Sequence, residues 1–383
     1  MSRLSIVIAG MVAAQPGQGG AAWAVLQYVL GLEALGHEVT LVDPVPIAPE
    51  VSDAAFEDSA AAAFFRRLAA DFGLEGSAAL LRAGTRTTVG LSHAALVERA
   101  QRADLLINIS GMLRDSTLTD PIPRRVFLDL DPAFNQIWHA QGIDMGFDRH
   151  THLVTIGWNI GRPDCRVPTC GRAWITTPQP VVLDRWPVAD RVVHDGLTTV
   201  ANWRSYGSAT HEGLFHGQKA HAWRPLFDLP RQTGLACLPA LAIHPDETAD
   251  LAALRDHGWQ LLDPALLCGT PADYQQFVQG SWAELAIAKS GYVVSRCGWF
   301  SDRSVCYLAS GRPVIAHDTG FGTRLPTGAG LFAFANVDDV VAAAEAVVGD
   351  YERHRRAARA LAEDCFDSRR VLPALLDRVT ASG

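Results

Sequence analysis

The stretch at residues 301–316 constrains the fold more than any other part of the chain. It reads Ser-Asp-Arg-Ser-Val-Cys-Tyr-Leu-Ala-Ser-Gly-Arg-Pro-Val-Ile-Ala. Ser301 or Asp302 can accept hydrogen bonds from the free N–H groups of a first helical turn. Gly311 tolerates the left-handed conformation that ends a helix, and Pro313 prevents the helix from continuing. The stretch therefore predicts a capped helix followed directly by a short buried strand.

The start of this helix is also a candidate binding site. The N–H groups and the dipole at a helix N-terminus favour negative charge, so a helix that begins in a cleft can bind an anion. Arg303 adds a fixed positive charge in the first turn, which suits a diphosphate. An ordinary capped helix with a surface arginine is the alternative, although the preceding Trp-Phe pair would be unusual at a plain surface. The residues predicted to contact the ligand are Ser301, Asp302, Arg303 and Ser304.

The length and composition predict two folded domains. The chain has 383 residues, 48% of them hydrophobic and 19% charged, which excludes global disorder and exceeds one typical domain. The formal net charge of −8 and the lack of any run of five basic residues argue against a nucleic-acid partner. A negatively charged ligand would therefore need local positive charge.

The sequence shows no pattern typical of a signal peptide, a membrane span or a disulfide framework, and these observations predict where the protein is located. The N-terminal apolar run is too short for a signal peptide, and no stretch approaches the ~20 apolar residues that span a bilayer. The seven cysteines are odd in number and dispersed, which argues against a disulfide framework. We expect a cytoplasmic protein with no membrane span.

The N-terminal half alternates between strand and helix patterns. Residues 4–9 form an apolar strand, residues 10–20 a loop of small residues, residues 21–35 an apolar helix, and residues 37–43 the next strand. This is a strand–helix–strand unit of a doubly wound sheet. Further helices are expected at 60–72 and 92–102, strands at 104–110 and 125–129, and short strands with long loops over 140–190.

The pattern restarts near residue 197 and predicts a second domain. Strands are expected at 197–201, 237–243, 259–262 and 291–295, with helices at 248–257 and 271–279 and three helical stretches from residue 337. We predict an N-terminal domain at 1–190, a C-terminal domain at 195–365, and a terminal helix at 366–383.

These motifs resemble those of a known fold family. The helix ending in Ala-x-Gly-x-Pro-Val, the strand, and the glycine loop at 317–322 look like the donor-nucleotide half of GT-B glycosyltransferases. The strings at 295–304 and 325–331 are similar to a bacterial group of glycosyltransferases, and Leu-Gly-His-Glu-Val at 35–39 is common in GT-B N-terminal domains. The resemblance implies an α/β protein of two Rossmann-like doubly wound domains that face a cleft, with C-terminal helices. The N-terminal domain would bind the acceptor and the C-terminal domain the nucleotide-sugar donor, and the terminal helix at 366–383 can cross back onto the first domain. It also implies a nucleoside-diphosphate sugar, UDP- or dTDP-linked, as co-substrate, and no other cofactor.

The resemblance also implies further donor-binding residues, each with a plainer alternative. In the glycine loop after the first strand, Gly19 and Gly20 would let a ligand approach the backbone, or would simply form a tight turn. Lys219 would contact donor phosphate, or lie in a polar loop. Glu284 and Lys289 match a family pattern in which the lysine neutralises the leaving diphosphate, or form a solvated pair. The glycine loop at 317–322 contributes three more predicted donor-binding residues, Asp318, Thr319 and Gly320.

One position departs from the family pattern. Many GT-B donor helices carry a glutamate five residues before the glycine, where it binds the ribose hydroxyls. That position is Cys306 in this chain. Ribose binding must then come from another residue such as Asp302, or the donor is unusual.

A catalytic base would be needed only for an inverting reaction, and the first domain offers three main candidates. Asp131 follows a predicted strand, where open α/β sheets place their ligands, with Asp129 as a competitor. His150 and His152 have side chains that titrate near neutrality. The His-x-His pair and the Cys165…Cys170 pair do not form a convincing metal site, because neither has a third ligand nearby.

The sequence therefore predicts a glycosyltransferase that moves a sugar from a nucleoside diphosphate to an unidentified acceptor. A nucleotide-sugar epimerase or hydrolase of the same fold is one alternative, and a non-catalytic nucleotide-binding protein is another. An NAD-dependent dehydrogenase is less consistent, because the chain lacks Gly-x-Gly-x-x-Gly after its first strand.

Overall fold

The computed structural model describes residues 3–46 and 52–381. Residues 1–2, 47–51 and 382–383, which belong to the predicted domain ranges, lie outside the described residues. The described strands form two large sheets and one small hairpin. They are β1 (Ser5–Ala9), β2 (Glu38–Val45), β3 (Ala78–Arg82), β4 (Thr88–Gly90), β5 (Leu105–Ile109), β6 (Arg124–Asp129), β7 (His152–Thr155), β8 (Trp174–Thr176), β9 (His194–Asn202), β10 (Ala209–His211), β11 (Leu214–His216), β12 (Cys237–Ala242), β13 (Ser281–Ala286), β14 (Val314–His317) and β15 (Leu331–Phe334).

The described helices connect these strands and cover the sheets. Short polar side chains cap several of them, as Ser59 does for α3 by accepting a hydrogen bond from the Ala62 N–H at 3.2 Å. The helices are α1 (Gly19–Ala34), α2 (Asp53–Glu57), α3 (Ala60–Phe72), α4 (His93–Arg102), α5 (Ser116–Thr119), α6 (Phe134–Ala140), α7 (Lys219–Trp223), α8 (Leu229–Thr233), α9 (Thr248–Asp256), α10 (Pro264–Leu267), α11 (Pro271–Gly280), α12 (Ser290–Ser295), α13 (Asp302–Ala309), α14 (Val337–Gly349), α15 (Tyr351–Cys365) and α16 (Ser368–Thr380).

The first sheet has the doubly wound order that the N-terminal strand–helix–strand unit predicts. Its strand order is β4-β3-β2-β1-β5-β6-β7-β8, parallel except for the β3–β4 pair. The chain builds β2 to β4 on one side of β1 and β5 to β8 on the other. The two directions diverge between β1 and β5, whose register pairs Ala9 with Asn108. Ligands of open α/β sheets bind outside the carboxyl ends of strands at such a point.

The second sheet is parallel throughout, in the order β12-β9-β13-β14-β15. Its core includes Trp203, Trp223 and Trp259. The strands of the first sheet all fall between residues 5 and 176, and those of the second between 194 and 334. The two-domain α/β architecture is confirmed, while the limits placed at residues 190, 195 and 365 stay a prediction.

The C-terminal helix α16 packs on α1 of the first sheet's layer. A Cβ atom on Gly31 of α1 would lie 2.5 Å from Leu372 and 3.0 Å from Ser368. The glycine therefore allows the two helices to approach closely. Helix α16 follows the second sheet in the sequence but packs against the helical layer of the first sheet.

Two predicted strands are wrong, and six observed strands were not predicted. Residues 291–295 belong to helix α12, and residues 259–262 contribute only an isolated bridge between Leu262 and Ala240. Short apolar runs suit a buried helix as well as a strand, so periodicity could not separate them. The strands that were not predicted are β3, β4, β10, β11, β13 and β15, and β13 occupies the centre of the second sheet.

Candidate functional site

A cavity of about 480 Å³ lies between the carboxyl ends of the two sheets. One wall is the loop between β1 and α1, and the other walls follow strands of the second sheet. The volume suits a small organic ligand. The lining residues are Pro16, Gly17, Gln18, Gly20, Ala21, Val200, Ala201, Asn202, Ser205, Tyr206, Gln218, Lys219, Ala242, Pro264, Ala265, Cys268, Tyr274, Lys289, Asp302 and Arg303.

Three cationic side chains line this cavity. The Nζ atom of Lys219 donates to the backbone carbonyl of Ile287 at 2.8 Å. Nη1 of Arg303 donates to the carbonyl of Val200 at 2.9 Å, while its buried Nη2 has no partner among the described residues. Lys289 completes the group. The sequence predicted all three as donor-binding residues, and the structure brings them together around one space.

Burial lowers the pKa of the two lysines that line the cavity, because it disfavours their charged forms. Burial lowers the pKa of Lys219 well below its usual value, and the charges of Arg303 and Lys289 lower it further. The pKa of Lys289 is also lowered by burial, against the opposing attraction of Asp131. A bound anion would favour the charged form of each side chain. A negatively charged ligand in the cavity would therefore stabilise the charged forms of these side chains.

Glu284 lies behind Arg303 and does not line the cavity. Its side chain is fully buried in β13, and Oε1 accepts from Nε of Arg303 at 2.5 Å. The alternative that Glu284 and Lys289 form a solvated pair is wrong. Residues 281–286 form a central strand, so Glu284 points into the layer under α13 and Lys289 follows beyond the strand's end. Glu284 therefore orients the arginine, and Arg303 is the residue that faces the ligand space.

The start of α13 differs in detail from the prediction. Ser301 is the cap, because its Oγ accepts from the N–H of Arg303 at 3.2 Å. Asp302 faces the cavity, and burial raises its pKa although Arg303 opposes that rise. Ser301 and Ser304 do not line the cavity. Ser304 is buried, and its hydroxyl has no partner among the described residues.

The two glycines after β1 bring the domains together. The Gly19 N–H donates to the carbonyl of Cys268 at 2.9 Å, and a Cβ on Gly19 would lie 2.1 Å from the Thr270 carbonyl oxygen. A Cβ on Gly20 would lie 2.8 Å from the ring of Tyr274. Gly20 also lines the cavity, whereas Gly19 serves the contact between domains.

The loop with Asp318, Thr319 and Gly320 lies beside the cavity without lining it. Asn159 of the first domain donates to the carbonyl of Gly320 at 3.1 Å. Asp318 accepts from the Gly320 N–H at 2.8 Å, which fixes the turn. Thr319 is fully buried. These residues therefore join the two domains, and none of them contacts the ligand space in this conformation.

Asp131 lies next to the cavity, behind Lys289. Its carboxylate is 3.1 Å from Nζ of Lys289 and also accepts hydrogen bonds from the hydroxyls of Tyr206 and Tyr292. Nζ of Lys289 lies 3.9 Å from the centroid of the Tyr206 ring. Burial raises the pKa of Asp131, and Lys289 partly reverses that rise. The carboxylate is thus occupied with holding the lysine.

The competing carboxylate, Asp129, is buried in the first domain, where its hydrogen bonds give it a structural role. It is fully buried and accepts from Asn135 at 2.6 Å, Gln136 at 2.7 Å and Thr155 at 2.7 Å. Burial raises its pKa to about 6 despite these hydrogen bonds. It organises the turn that carries Asp131.

The two candidate histidines lie away from the cavity. His152 is the first residue of β7, at the amino end of the strand, whereas the cavity lies at carboxyl ends. His150 packs its ring on Phe127 and bonds through Nδ1 to the carbonyl of Gly146 at 2.7 Å and through Nε2 to Asn108 at 3.1 Å. Neither residue can reach a ligand in the cavity as the chain is arranged.

Cys306, the residue at the usual glutamate position, faces α1 of the first domain. It is buried, and its sulfur accepts from Nε2 of Gln27 at 3.7 Å. Oε1 of Gln27 in turn accepts from the N–H of Val182 at 2.8 Å. The cysteine does not line the cavity, so the carboxylate that does line it is Asp302.

Several polar lining residues were not predicted. Asn202 ends strand β9, and Gln218 and Tyr206 lie in the segment that follows it. Tyr274 reaches the cavity from α11. A polar residue at the carboxyl end of a strand is a recognisable signal, so Asn202 could have been found. The tyrosines offered no such signal, because long-range packing alone brings them here.

Two classes of site are absent from the described part of the chain. It contains no cluster of three or more histidine, cysteine, aspartate and glutamate side chains arranged to hold a metal ion. None of its helices combines the length and apolar character needed to cross a membrane.

Comparison with solved structures defines the class of fold as GT-B. The whole chain superposes on an alpha-glucosyltransferase in complex with UDP-glucose and DNA containing an abasic site, with a TM-score of 0.64, 13% identity, and coverage of 99% of this chain and 100% of that one. It also superposes on Anabaena HepE in complex with UDP and glucose, with a TM-score of 0.61, 11% identity, and coverage of 99% and 100%.

A third solved structure, the alpha-glucosyltransferase with UDP alone, gives a TM-score of 0.61 at 12% identity over 98% of this chain and 99% of that one. No protein-family model matches the chain. No curated protein matches it either. At these identities the comparison establishes the fold, and the GT-B prediction is confirmed.

Proposed function

We propose that this protein is a glycosyltransferase that takes a sugar from a nucleoside-diphosphate sugar bound in the cavity between its domains. One observation carries the proposal: Lys219, Lys289 and Arg303 converge on a single buried space, and Nη2 of Arg303 has no partner there. Glu284 pairs with Arg303 and Asp131 pairs with Lys289, whereas Lys219 makes no ion pair among the described residues, so a further negative charge in the cavity would stabilise it. A diphosphate supplies that charge.

A uridine nucleotide is the donor we expect. Structures of the same fold are known with UDP or UDP-glucose, and their two domains align with this chain over nearly its full length. Asp302 and Asn202 line the cavity and offer polar atoms for hydroxyl groups. Asp302 is the residue we assign to the hydroxyls that a glutamate binds in other proteins of this fold.

The chemistry follows from where charge develops. The bond between the anomeric carbon and the diphosphate oxygen breaks, and the leaving diphosphate keeps the electron pair. Arg303, Lys289 and Lys219 stabilise the charge that grows on it. An acceptor hydroxyl oxygen forms the new bond to the anomeric carbon and releases its proton.

The arrangement assigns a positioning role to Asp131. Its carboxylate holds Lys289 beside the cavity, where the ammonium group can contact the donor. We propose that this contact, rather than proton abstraction, is its contribution. His150 and His152 have no catalytic role in this proposal, because neither lines the cavity.

The acceptor is expected to be something other than nucleic acid. Four of the solved structures of this fold contain DNA in their complexes, but this chain carries a formal charge of −8. Net negative charge opposes long-range attraction to a polyanion. A smaller acceptor fits that balance better.

The proposal is tested by nucleotide binding followed by turnover. UDP should raise the melting temperature, because a ligand that binds only the folded state stabilises it. UDP-glucose should then yield UDP faster when a sugar-acceptor panel is added. If no nucleoside diphosphate at millimolar concentration shifts the transition, the cavity is not a donor site.

Controls separate the alternatives of the same fold. Release of UDP at an unchanged rate with and without acceptors would identify a hydrolase, and conversion of the sugar without release of UDP would identify an epimerase. Binding without either reaction would identify a nucleotide-binding protein. The variant Arg67→Gln, in an exposed side chain of α3, should behave as the wild type throughout.

A further inference from the structure

A second cavity lies at the same edge of the first sheet. Its volume is about 640 Å³, and it is lined by residues from the ends of β2 and β3 and from the segment after β5. That segment follows the strand next to β1, at the point where the sheet order reverses. The loop after β1 itself lines the interdomain cavity. The two cavities therefore border neighbouring strand ends, where open α/β sheets bind ligands.

Two arginines face this second cavity, which we call the strand-end groove. Arg86 has no ion pair or hydrogen bond among the described residues. Arg114 donates to the Asp144 carbonyl at 3.4 Å and its charge helps to lower the pKa of the Asp144 carboxylate, which is bonded to Arg149 at 2.8 Å. Among the described residues, both guanidinium groups therefore keep N–H donors that can bind an anion. Guanidinium is well suited to carboxylate and phosphate, which it can bind through two parallel hydrogen bonds.

The groove's acidic group is already engaged. The carboxylate of Asp115 bonds to Nε2 of His93 at 3.1 Å and accepts from the N–H of Thr117 at 2.9 Å. Apart from His93, the charged side chains that line the groove are two arginines and one aspartate. This excess is notable in a chain of net charge −8.

Both walls of the groove are held in place before any ligand binds. Asn108, buried at the end of β5, donates to the carbonyl of Leu113 at 2.9 Å and accepts its N–H at 3.0 Å, which fixes the segment with Arg114. On the other wall, Thr85 donates to the carbonyl of Arg82 at 2.9 Å and accepts the Thr87 N–H at 3.1 Å. A site whose backbone is ordered in advance loses less entropy on binding.

We infer that the strand-end groove binds the acceptor, and that the acceptor carries a phosphate or carboxylate group held by Arg86 and Arg114. This inference rests on the proposed transferase function. His93, fixed by Asp115, presents its other ring nitrogen as a hydrogen-bonding partner for a hydroxyl of the same molecule. The substrate class is therefore a small anionic hydroxyl compound.

The test uses inorganic phosphate on protein whose donor cavity is saturated with UDP. At constant ionic strength, phosphate should raise the melting temperature of the UDP-loaded wild type further. In the double variant Arg86→Gln/Arg114→Gln the phosphate concentration for half the effect should rise at least about tenfold. The control Arg67→Gln/Arg353→Gln removes two exposed arginines elsewhere and should match the wild type.

The outcomes separate this inference from the donor proposal. An unchanged response to UDP in the groove variant, with a lost response to phosphate, supports the groove. No effect of phosphate on the wild type, or an equal effect on the groove variant, overturns it. A missing response to UDP would instead defeat the donor site. Binding of duplex DNA that depends on Arg86 and Arg114, without binding of phosphate, would also overturn it in favour of a nucleic-acid acceptor.

A kinetic measurement provides an independent readout. With an acceptor that carries a phosphate, the groove variant should show a raised KM for the acceptor and an unchanged KM for UDP-glucose. A neutral analogue of that acceptor should show no difference between the groove variant and the wild type. Equal loss for charged and neutral acceptors would contradict an anion site.

Discussion

The buried carboxylate of Glu284 on β13 holds the guanidinium of Arg303 on α13 through a contact of 2.5 Å between Oε1 and Nε. The remaining carboxylate oxygen and the Nη2 atom of the arginine are both buried without partners among the described residues. The pair thus fixes the direction of Arg303 and leaves one donor free. The pair therefore holds the arginine at the cavity wall with a donor that can contact a ligand.

Glu284→Gln should lower the stability of the protein and raise its affinity for UDP. The amide keeps an acceptor for Nε but removes the charge that compensates Arg303. Breaking a buried ion pair in this way commonly costs about 3–5 kcal/mol, so the melting temperature without ligand should fall. Because the uncompensated arginine gains more from a diphosphate, the rise in melting temperature on adding UDP should exceed that of the wild type. A smaller rise would contradict the proposed role of Glu284.

Arg303→Ala should reduce turnover strongly and should also lower the melting temperature, because Glu284 is left buried without its partner. Loss of a desolvated charge contact to the leaving group commonly costs ~2–4 kcal/mol, which corresponds to a roughly thirty- to thousandfold lower kcat. Lys289→Ala should act in the same direction. The double variant should lose less than the sum of the two, because both side chains hold one diphosphate. Wild-type turnover rates in both Arg303→Ala and Lys289→Ala would contradict the proposed mechanism.

Asp131→Asn distinguishes positioning from base catalysis. If the carboxylate positions Lys289, the variant should bind UDP more weakly as well as turning over more slowly, and should resemble Lys289→Ala. A pH–rate profile keeps its shape in that case. If Asp131 were the base, the loss would fall on kcat alone, and the acidic limb of the profile would disappear.

Gly19→Ala should separate the two domains at the cavity mouth. The added Cβ would lie 2.1 Å from the Thr270 carbonyl oxygen, and overpacking of this kind typically costs roughly 1–3 kcal/mol. We expect a lower melting temperature and weaker binding of UDP. Gly349→Ala is the matched control, because a Cβ at Gly349 meets nothing within 4 Å. Equal behaviour of the two variants would show that the close contact at Gly19 is not needed.

The stability of the protein should depend on the protonation of Asp43. This residue is fully buried, its Oδ2 accepts from the N–H groups of Val12 and Ala13, and burial raises its pKa to about 7. An unfolded aspartate ionises near pH ~4. Between these values the folded state binds more protons than the unfolded state, so the free energy of unfolding falls as pH rises and levels off above about pH 7.

Asp43→Asn should remove that part of the pH dependence. The amide oxygen can still accept both N–H groups but does not ionise. The variant should therefore gain stability relative to the wild type between about pH 5 and about pH 8, by at most roughly 4 kcal/mol. Melting temperatures of both proteins across this range provide the measurement. Parallel curves would mean that Asp43 does not titrate differently in the two states.

The sequence by itself determined the elements whose signals are local. Helix α3 runs over Ala60–Phe72, as the pattern predicts, and α13 begins after its Ser301 cap and ends before Gly311. Strand–helix alternation was enough to predict two doubly wound sheets. It also selected the three cations Lys219, Lys289 and Arg303, because each lies next to the end of a predicted element or a family motif.

The tertiary structure decided what faces the cavity and what supports it. From the sequence Glu284 could form a solvated pair with Lys289, yet it lies in a central strand that is hydrogen-bonded to a neighbouring strand on each side. Asp131, His150 and His152 were equal candidates in the sequence, but only Asp131 lies next to the cavity, where it holds Lys289. Gly19 and the loop at residues 318–320 turned out to join the domains. Such assignments depend on contacts between residues that are distant in the sequence, such as Asp131 and Lys289, and no local pattern encodes them.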